Sequence, residues 1–293
     1  NAPGEKPKRQ KTSSIRQWII LARRYLTLVG RDRFSLLLLF LTGPVGVILI
    51  RLALPDQSPL DEPPTVAADL DASQAPLALR VLFVFTCATI WVGLSGTAQA
   101  IVREANIYLR ERLVNLRLIP YLASKFSIHS GLAVIQAILL MIMIVLAFEG
   151  PQPELIPWWA WLFVTTFLTL LASTSLGLMI SSFVKNPTQA NSALPLILIP
   201  QIIFSGILFD IEGPARFISW IMNSRWSIGA YAAVLDVNAM VPEALPGVTL
   251  PFEGSTTYDA TWENLMLNWA ILCVHSLVCL SVSLWQQKRK DIL

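Results

Sequence analysis

Long runs of apolar residues without a charge constrain the fold of this chain more than any other feature. Residues 81–102 and 127–148 are two such runs, and each matches the ~20 residues that a helix needs to cross a bilayer. Charged residues make up only 14% of the chain, against ~25% in soluble domains. Because lipid offers no hydrogen-bond partner to the backbone, such runs must be helical. The sequence therefore predicts an all-α membrane protein.

The predicted architecture has six transmembrane spans. Proline or a flanking charge interrupts some of them, but each keeps the length and apolarity of a span. The six spans cover residues 34–53, 80–102, 127–148, 158–184, 191–209 and 265–285, within a domain of residues 34–293.

The segments around these spans have their own patterns. Residues 13–33 alternate an apolar and a basic face at helical spacing, which predicts an amphipathic connecting helix on the membrane surface. Residues 210–263 begin apolar and end rich in Pro and Gly. We expect a re-entrant helical pair there, followed by an exposed outer loop. Residues 1–12 are predicted to be a linker from a missing N-terminal domain.

Charge distribution predicts the orientation of the spans. Basic residues lie in the N-terminal region, in residues 103–125, at Lys185 and at Lys288–Lys290, whereas the intervening loops are acidic. Basic loops stay in the cytoplasm, so both termini are expected there. No Asn-x-Ser/Thr glycosylation acceptor is present, which favours a bacterial inner membrane over a eukaryotic plasma membrane.

Residues 103–125, here called the charged island, separate the second and third spans. The island interleaves basic and acidic residues with apolar ones and is poor in Gly and Ser. This composition predicts short ordered helices at the membrane surface that a cytoplasmic partner can hold. The apolar residues Ile107, Leu113 and Leu116 are expected to supply most of the adhesion, because an exposed salt bridge contributes only ~0–1 kcal/mol.

The sequence contains no motif for catalysis by this chain. Gly-x-Ser-x-Gly, His-Glu-x-x-His and phosphate-loop motifs are absent, so we expect no catalytic site, metal site or ATP binding here. We also expect no nucleic-acid partner. Gln99 and Gln201 lie inside predicted spans, where they either bond neighbouring helices or line a transport path. No acidic residue lies mid-span, which argues against ion-coupled transport.

Three stretches together resemble the transmembrane domain of ABCG-type (white-like) ABC transporters. The first is similar to that family's connecting helix through Gln17, Leu21, Arg24, Arg31 and Asp32. The second is the charged island, similar to the family's coupling helix through Glu104, Tyr108, Arg110, Glu111, Tyr121 and Lys125. The third is similar to its fifth span and re-entrant helices, through residues 204–208 and then Ile218, Trp220, Ser224, Ser227 and Tyr231.

The resemblance implies the membrane domain of an ATP-driven exporter. ATP and Mg would bind a partner nucleotide-binding domain, N-terminal in the same polypeptide, and a second and identical protomer would complete a dimer. The coupling contacts to the ATPase would come from Glu104, Tyr108, Arg110, Glu111 and Arg112. A lipid-like or hydrophobic substrate would pass between spans two and five, along Trp91, Val92, Gln99, Gln201, Phe204, Ile207 and Leu208, with Ile207 and Leu208 as a plug.

Two other interpretations stay open. One is the permease of a polysaccharide or antibiotic ABC exporter, although those usually have shorter outer segments than residues 210–263. The other is a non-transporting membrane scaffold. The prolines of the fifth span argue against it, because a helix that only packs would not be expected to contain them. Val92 stands where drug-exporting ABCG proteins place a stacking aromatic residue, so recognition of flat drugs is not expected.

Overall fold

The computed structural model describes residues 13–55, 57–61, 72–151, 157–209, 211–242, 252 and 254–290. Within these ranges the chain is helical with connecting turns and has no β-strand. The predicted linker at residues 1–12 lies outside them. The α-helices are α1 (Ser14–Arg31), α2 (Arg33–Ala53), α3 (Gln74–Thr97), α4 (Ala105–Leu113), α5 (Leu118–Ala147), α6 (Trp158–Phe183), α7 (Pro187–Ile203), α8 (Ala215–Ile221), α9 (Asn223–Val234) and α10 (Trp262–Lys290).

The all-α membrane class predicted from the sequence is confirmed. Five helical stretches of the described residues are long and apolar enough to cross a bilayer. They are α2, α3 with its continuation to Leu113, α5, α6 and α10. The predicted fifth span corresponds to α7, which has 17 residues with Pro195 and Pro200 inside it. A six-span arrangement therefore stays a prediction.

Several helices differ in extent from the spans predicted within them. Helix α5, which contains the predicted third span at residues 127–148, begins at Leu118, and Lys125 in this N-terminal extension is paired with Glu104. Helix α7, which corresponds to the predicted fifth span at residues 191–209, covers Pro187–Ile203. Asn186 caps its start by accepting a hydrogen bond from Gln189 N, as Asn does at helix N-termini.

The remaining boundaries shift by a few residues. Helix α3, which contains most of the predicted second span at residues 80–102, covers Gln74–Thr97. Helix α10, Trp262–Lys290, extends beyond the predicted sixth span at residues 265–285 because polar residues at both ends remain helical. Two short helices, α8 and α9, follow α7, and their re-entrant placement stays a prediction.

Helices α3 and α6 pack so closely that glycine is required at their crossing. A Cβ on Gly177 would lie 2.1 Å from Thr97 Oγ1 and 2.7 Å from Leu94 O, and one on Gly93 would lie 2.7 Å from Ser173 Cβ. The Thr97 hydroxyl donates to Thr174 O at 3.0 Å across the interface. Small residues and interhelical hydrogen bonds are the usual means by which helices associate in lipid.

Polar residues also hold α9 against the bundle. Tyr231 shares a 2.7 Å hydrogen bond with Thr166 of α6. Gln201 at the end of α7 accepts from Ser224 N at 3.0 Å, and its own carbonyl accepts from the Ser224 hydroxyl at 2.5 Å. These bonds satisfy polar groups away from water, which would otherwise cost free energy. Helix α9 is therefore packed against α6 and the end of α7.

Gly177→Ala tests the close approach of α3 and α6. The added methyl would overlap Thr97, and overpacking of this kind costs about 1–3 kcal/mol. We expect a lower melting temperature in detergent, measured by size-exclusion chromatography after heating. Gly131→Ala in α5 is the matched control, because nothing lies within 4 Å of its added Cβ, and it should leave the melting temperature equal or higher. A wild-type melting temperature for Gly177→Ala would contradict the packing.

Candidate functional site

The charged island folds into a short helix, a turn and the first turns of a long helix. Helix α4 ends at Leu113, and Asn115 then adopts φ of 94°, a left-handed conformation that Asn tolerates better than most residues. Arg117 is extended with φ −91° and ψ 139°, and it leads directly into α5. The turn places α4 beside the first two turns of α5.

The charged island has two arms, α4 with its N-cap Glu104 and the first turns of α5, and a buried ion pair joins them. Lys125 Nζ lies 2.7 Å from Glu104 Oε2, and the Lys125 side chain is only 1% exposed. The ammonium group also lies 4.1 Å from the ring centre of Tyr25 and 5.1 Å from that of Tyr121. A buried charge is tolerated only when it is paired and bonded, and these contacts provide that pairing.

The connecting helix α1 packs onto this ion pair. The Tyr25 hydroxyl lies 2.9 Å from His129 Nε2, within hydrogen-bond distance. Burial raises the pKa of Tyr25, and the nearby Glu104 carboxylate raises it further, so the phenol stays protonated. Arg24, one residue earlier, forms an ion pair with Glu111 of α4. Helix α1 is thus bonded to both arms of the island.

Gln17 of α1 holds the turn between the arms. Its side-chain Nε2 donates to Asn115 O at 3.1 Å, and its Oε1 accepts from Arg117 N at 3.2 Å. The Arg117 guanidinium donates to the Ser14 hydroxyl at 2.5 Å, and Trp18 Nε1 donates to Ser127 Oγ at 3.2 Å. One face of α1 therefore fixes the backbone where the charged island reverses direction.

An open groove of about 960 Å³ lies between α1 and α4. Its rim carries Leu113, 86% exposed, and Val114, 81% exposed, next to Arg110 and Glu111. Of the apolar residues expected to supply adhesion, Ile107 and Leu113 are exposed, but Leu116 is buried. The prediction for Leu116 was wrong because the turn directs it into the cluster around Tyr121 and Leu122.

The other predicted coupling residues have mainly structural contacts. Tyr108 is buried, with its ring centre 4.8 Å from that of Tyr121, and Arg112 donates to Leu116 O. Arg31 lies in the last turn of α1. Asp32 caps α2 by accepting from Ser35 N at 3.2 Å, and hydrogen bonding to the side chain and then the backbone of Ser35 lowers the pKa of the carboxyl.

The predicted substrate-path residues do not surround one cavity in the isolated chain. Trp91 and Gln99 line a cavity of about 640 Å³ between α1, α2, α3 and α5. Val92 is buried against Ala133, Ala137 and Leu170. Gln99 Nε2 donates to the Asn191 side chain of α7. The predicted substrate-path residues therefore fall into two groups, one on or just after α3 and the other near α7 and α9.

The last three members of that set lie past the end of α7. Phe204 is the C-terminal cap of that helix. Ile207 packs partly against the largest core cluster, whereas Leu208 is 50% exposed. Helix α7 ends at Ile203, and Gly206 then adopts φ of 86°, so Ile207 and Leu208 do not continue the helix. The description of Ile207 and Leu208 as residues on the fifth helix was therefore wrong.

Sequence reasoning missed two residues of the junction between α1, α4 and α5. Tyr25 and His129 were not predicted as site residues, yet both line the cavity. Tyr25 follows Leu21 by four residues, which places both on the buried face of α1. His129 follows Lys125 by four residues on α5, so helical spacing carried a signal for both. Among the described residues, no cluster of His, Cys, Asp and Glu could hold a metal.

Comparison with known proteins identifies the class of this structure. Residues 16–235 match the ABC-2 type transporter family. The chain is also 27% identical over 297 residues to the ABC transporter ATP-binding/permease protein Rv1747 of Mycobacterium tuberculosis, a match that covers 95% of this chain and 31% of that protein. It thus spans less than a third of that relative's length. Because the family match covers most of its residues, this chain belongs to the ABC-2 type transporter family.

Proposed function

We propose that this chain is the membrane-spanning domain of an ATP-driven exporter, with the groove between α1 and α4 as the docking surface for its ATPase. Exposed Leu113 and Val114 beside the charged groups of the groove carry this proposal. Apolar side chains at such exposure mark an interaction site, and the charges beside them suit a protein surface better than the bilayer core. The relative is named an ATP-binding/permease protein, which supports a fused ATPase.

The contacts of the charged island supply a route for motion into the membrane. Force on α4 would reach α1 through Arg24–Glu111 and reach α5 through Glu104–Lys125. The first pair is partly exposed, so its own contribution is small. The second is buried, so α4 and the start of α5 should move together.

A dimer supplies the proposed substrate path. Helix α7 exposes Leu196 (71%) and Ile199 (52%), which need either lipid or a partner. Gln99 and Asn191 bond each other at the exposed edge where α3 meets α7. A second, identical protomer facing this edge would enclose a path between α3 and α7 for a lipid-like or hydrophobic molecule, with exposed Leu208 at its outer end. Both termini would lie in the cytoplasm, in a bacterial inner membrane.

Cysteine crosslinking tests the docking surface. With Cys87, Cys273 and Cys279 replaced by serine, we expect Leu113→Cys in the full-length protein to crosslink to cysteines introduced across the ATPase domain. Phe217→Cys in α8 is the control, because it is equally apolar and 64% exposed but is predicted to lie on the outer side. Labelling of Leu113→Cys by an impermeant maleimide from outside intact cells would contradict the proposal.

A charge swap tests the link between α1 and α4. Arg24→Glu and Glu111→Arg should each reduce the ATP-dependent change in labelling of Leu208→Cys, because like charges would push the two helices apart. The double variant restores an opposite pair and should recover most of that change. Arg23→Glu changes an exposed neighbour and should act as wild type. A double variant no better than the single ones would remove this ion pair from the coupling route.

A further inference from the structure

A second cavity in the described structure differs in kind from the docking groove. Its volume is about 640 Å³, within the ~300–1,000 Å³ of small-molecule sites. Helices α2 and α3 form its long walls, α1 covers one end, and α5 lies behind. Leu38 in its wall is 52% exposed, and Trp91 is 37% exposed, so the cavity opens sideways onto the surface that faces lipid.

The cavity walls are graded from charged to apolar. Trp91 and Ser95 line the cavity from α3, where their spacing of four places them on one face. Gln99 and Arg103 continue this wall from the turn and 3-10 segment that follow α3. On α2 the lining runs from Asp32 to Thr42. Asp32 and Arg103 therefore share the charged end, and Trp91 with Thr42 closes the other end.

The length of the cavity matches one leaflet of a bilayer. Asp32 and Thr42 are ten positions apart along α2, or about 15 Å at 1.5 Å per residue. This is half of the ~30 Å hydrocarbon core. Asp32 lies at the junction of surface helix α1 and span α2, where lipid headgroups lie. The charged end is thus at headgroup depth and the apolar end near the middle of the membrane.

The headgroup end of the cavity carries charges of both signs, and only some of them are in ion pairs with other described residues. Glu104 also lines the cavity but is paired with Lys125. Arg103 makes no ion pair or side-chain hydrogen bond with the described residues, and it lines the same cavity as Asp32. Asp32 uses Oδ1 for Ser35 N and is exposed. The site therefore offers one cation and one anion in the lining of one cavity.

From this charge pair we infer that the cavity binds a zwitterionic phospholipid, with its phosphate at Arg103 and its ammonium at Asp32. Arg binds phosphate oxygens through several N–H donors, and a primary ammonium donates to a carboxylate. One acyl chain would follow Leu36, Leu39 and Trp91, while the other stays in the bilayer. Gln99 lies between this site and the proposed path at the α3–α7 edge, because it lines the cavity and bonds Asn191 of α7. The placement of the site in the cytoplasmic leaflet rests on the proposed orientation.

Native mass spectrometry of the full-length protein tests this inference. After delipidation, the protein is incubated with dioleoyl phosphatidylethanolamine or dioleoyl phosphatidylglycerol, and retained lipid is counted per chain. We expect wild type to retain phosphatidylethanolamine in preference to phosphatidylglycerol. Arg103→Gln should lower its retention roughly tenfold, the effect of one charge-assisted hydrogen bond.

Two further variants test the anionic group and the space inside the cavity separately. Asp32→Asn keeps an N-cap residue for α2 but removes the anion, so the preference for phosphatidylethanolamine over phosphatidylglycerol should disappear. Ser95→Leu adds bulk inside the cavity without changing charge and should exclude both lipids. Arg33→Gln is the matched control, because Arg33 is an exposed neighbour outside the cavity lining, and it should retain lipid as wild type does.

Each result decides for or against the site. Wild type that retains phosphatidylglycerol as well as phosphatidylethanolamine would overturn the inference. Unchanged retention in Arg103→Gln or in Ser95→Leu would do the same. Because lipid retention is counted without ATP, failure here leaves the proposed ATPase docking untouched, and failed crosslinking at Leu113 would not affect the lipid count.

Discussion

The pairing of Lys125 with Glu104 is the interaction on which the junction of α1, α4 and α5 depends. A lysine that is 1% exposed would be strongly destabilising without its carboxylate. The pair lets α5 begin before the apolar span, and it brings Tyr25 and Tyr121 around the ammonium group. The charged island is therefore a fixed part of the fold, and only its outer rim is free to meet a partner.

Helix α1 separates two cavities whose linings differ in chemistry. Gln17, Arg24 and their neighbours face the groove between α1 and α4, whereas Tyr25, Leu28 and Val29 face the cavity beside α2. Ile107 of α4 lines both spaces. If the ATPase docks in the groove and a lipid occupies the cavity, movement of α1 would change the shape of both spaces. Lipid composition would then influence coupling through a shared wall.

The bundle itself is held by small and polar side chains rather than by bulk hydrophobicity. Gly177 allows α6 to approach Leu94 and Thr97, and serines and threonines of α6 bond across to α3 and α9. In lipid an apolar surface gains little by leaving the bilayer for another helix, so close packing and hydrogen bonds decide which helices associate. The exposed outer face of α2, by contrast, is suited to lipid.

The sequence by itself determined the class, the main spans and the family, because uncharged runs of span length and the pattern of the charged island are local features. The family resemblance also pointed to Gln17 and Arg24 on the connecting helix and to Glu104 and Glu111 on the charged island, as two separate groups. Only the tertiary structure decided which of them pair with one another and that Leu116 points inward. It also decided that α7 ends before Ile207, where Gly206 turns the chain. The pairings depend on contacts between residues about a hundred positions apart, such as Gln17 with Asn115, and helical periodicity carries no information about such contacts.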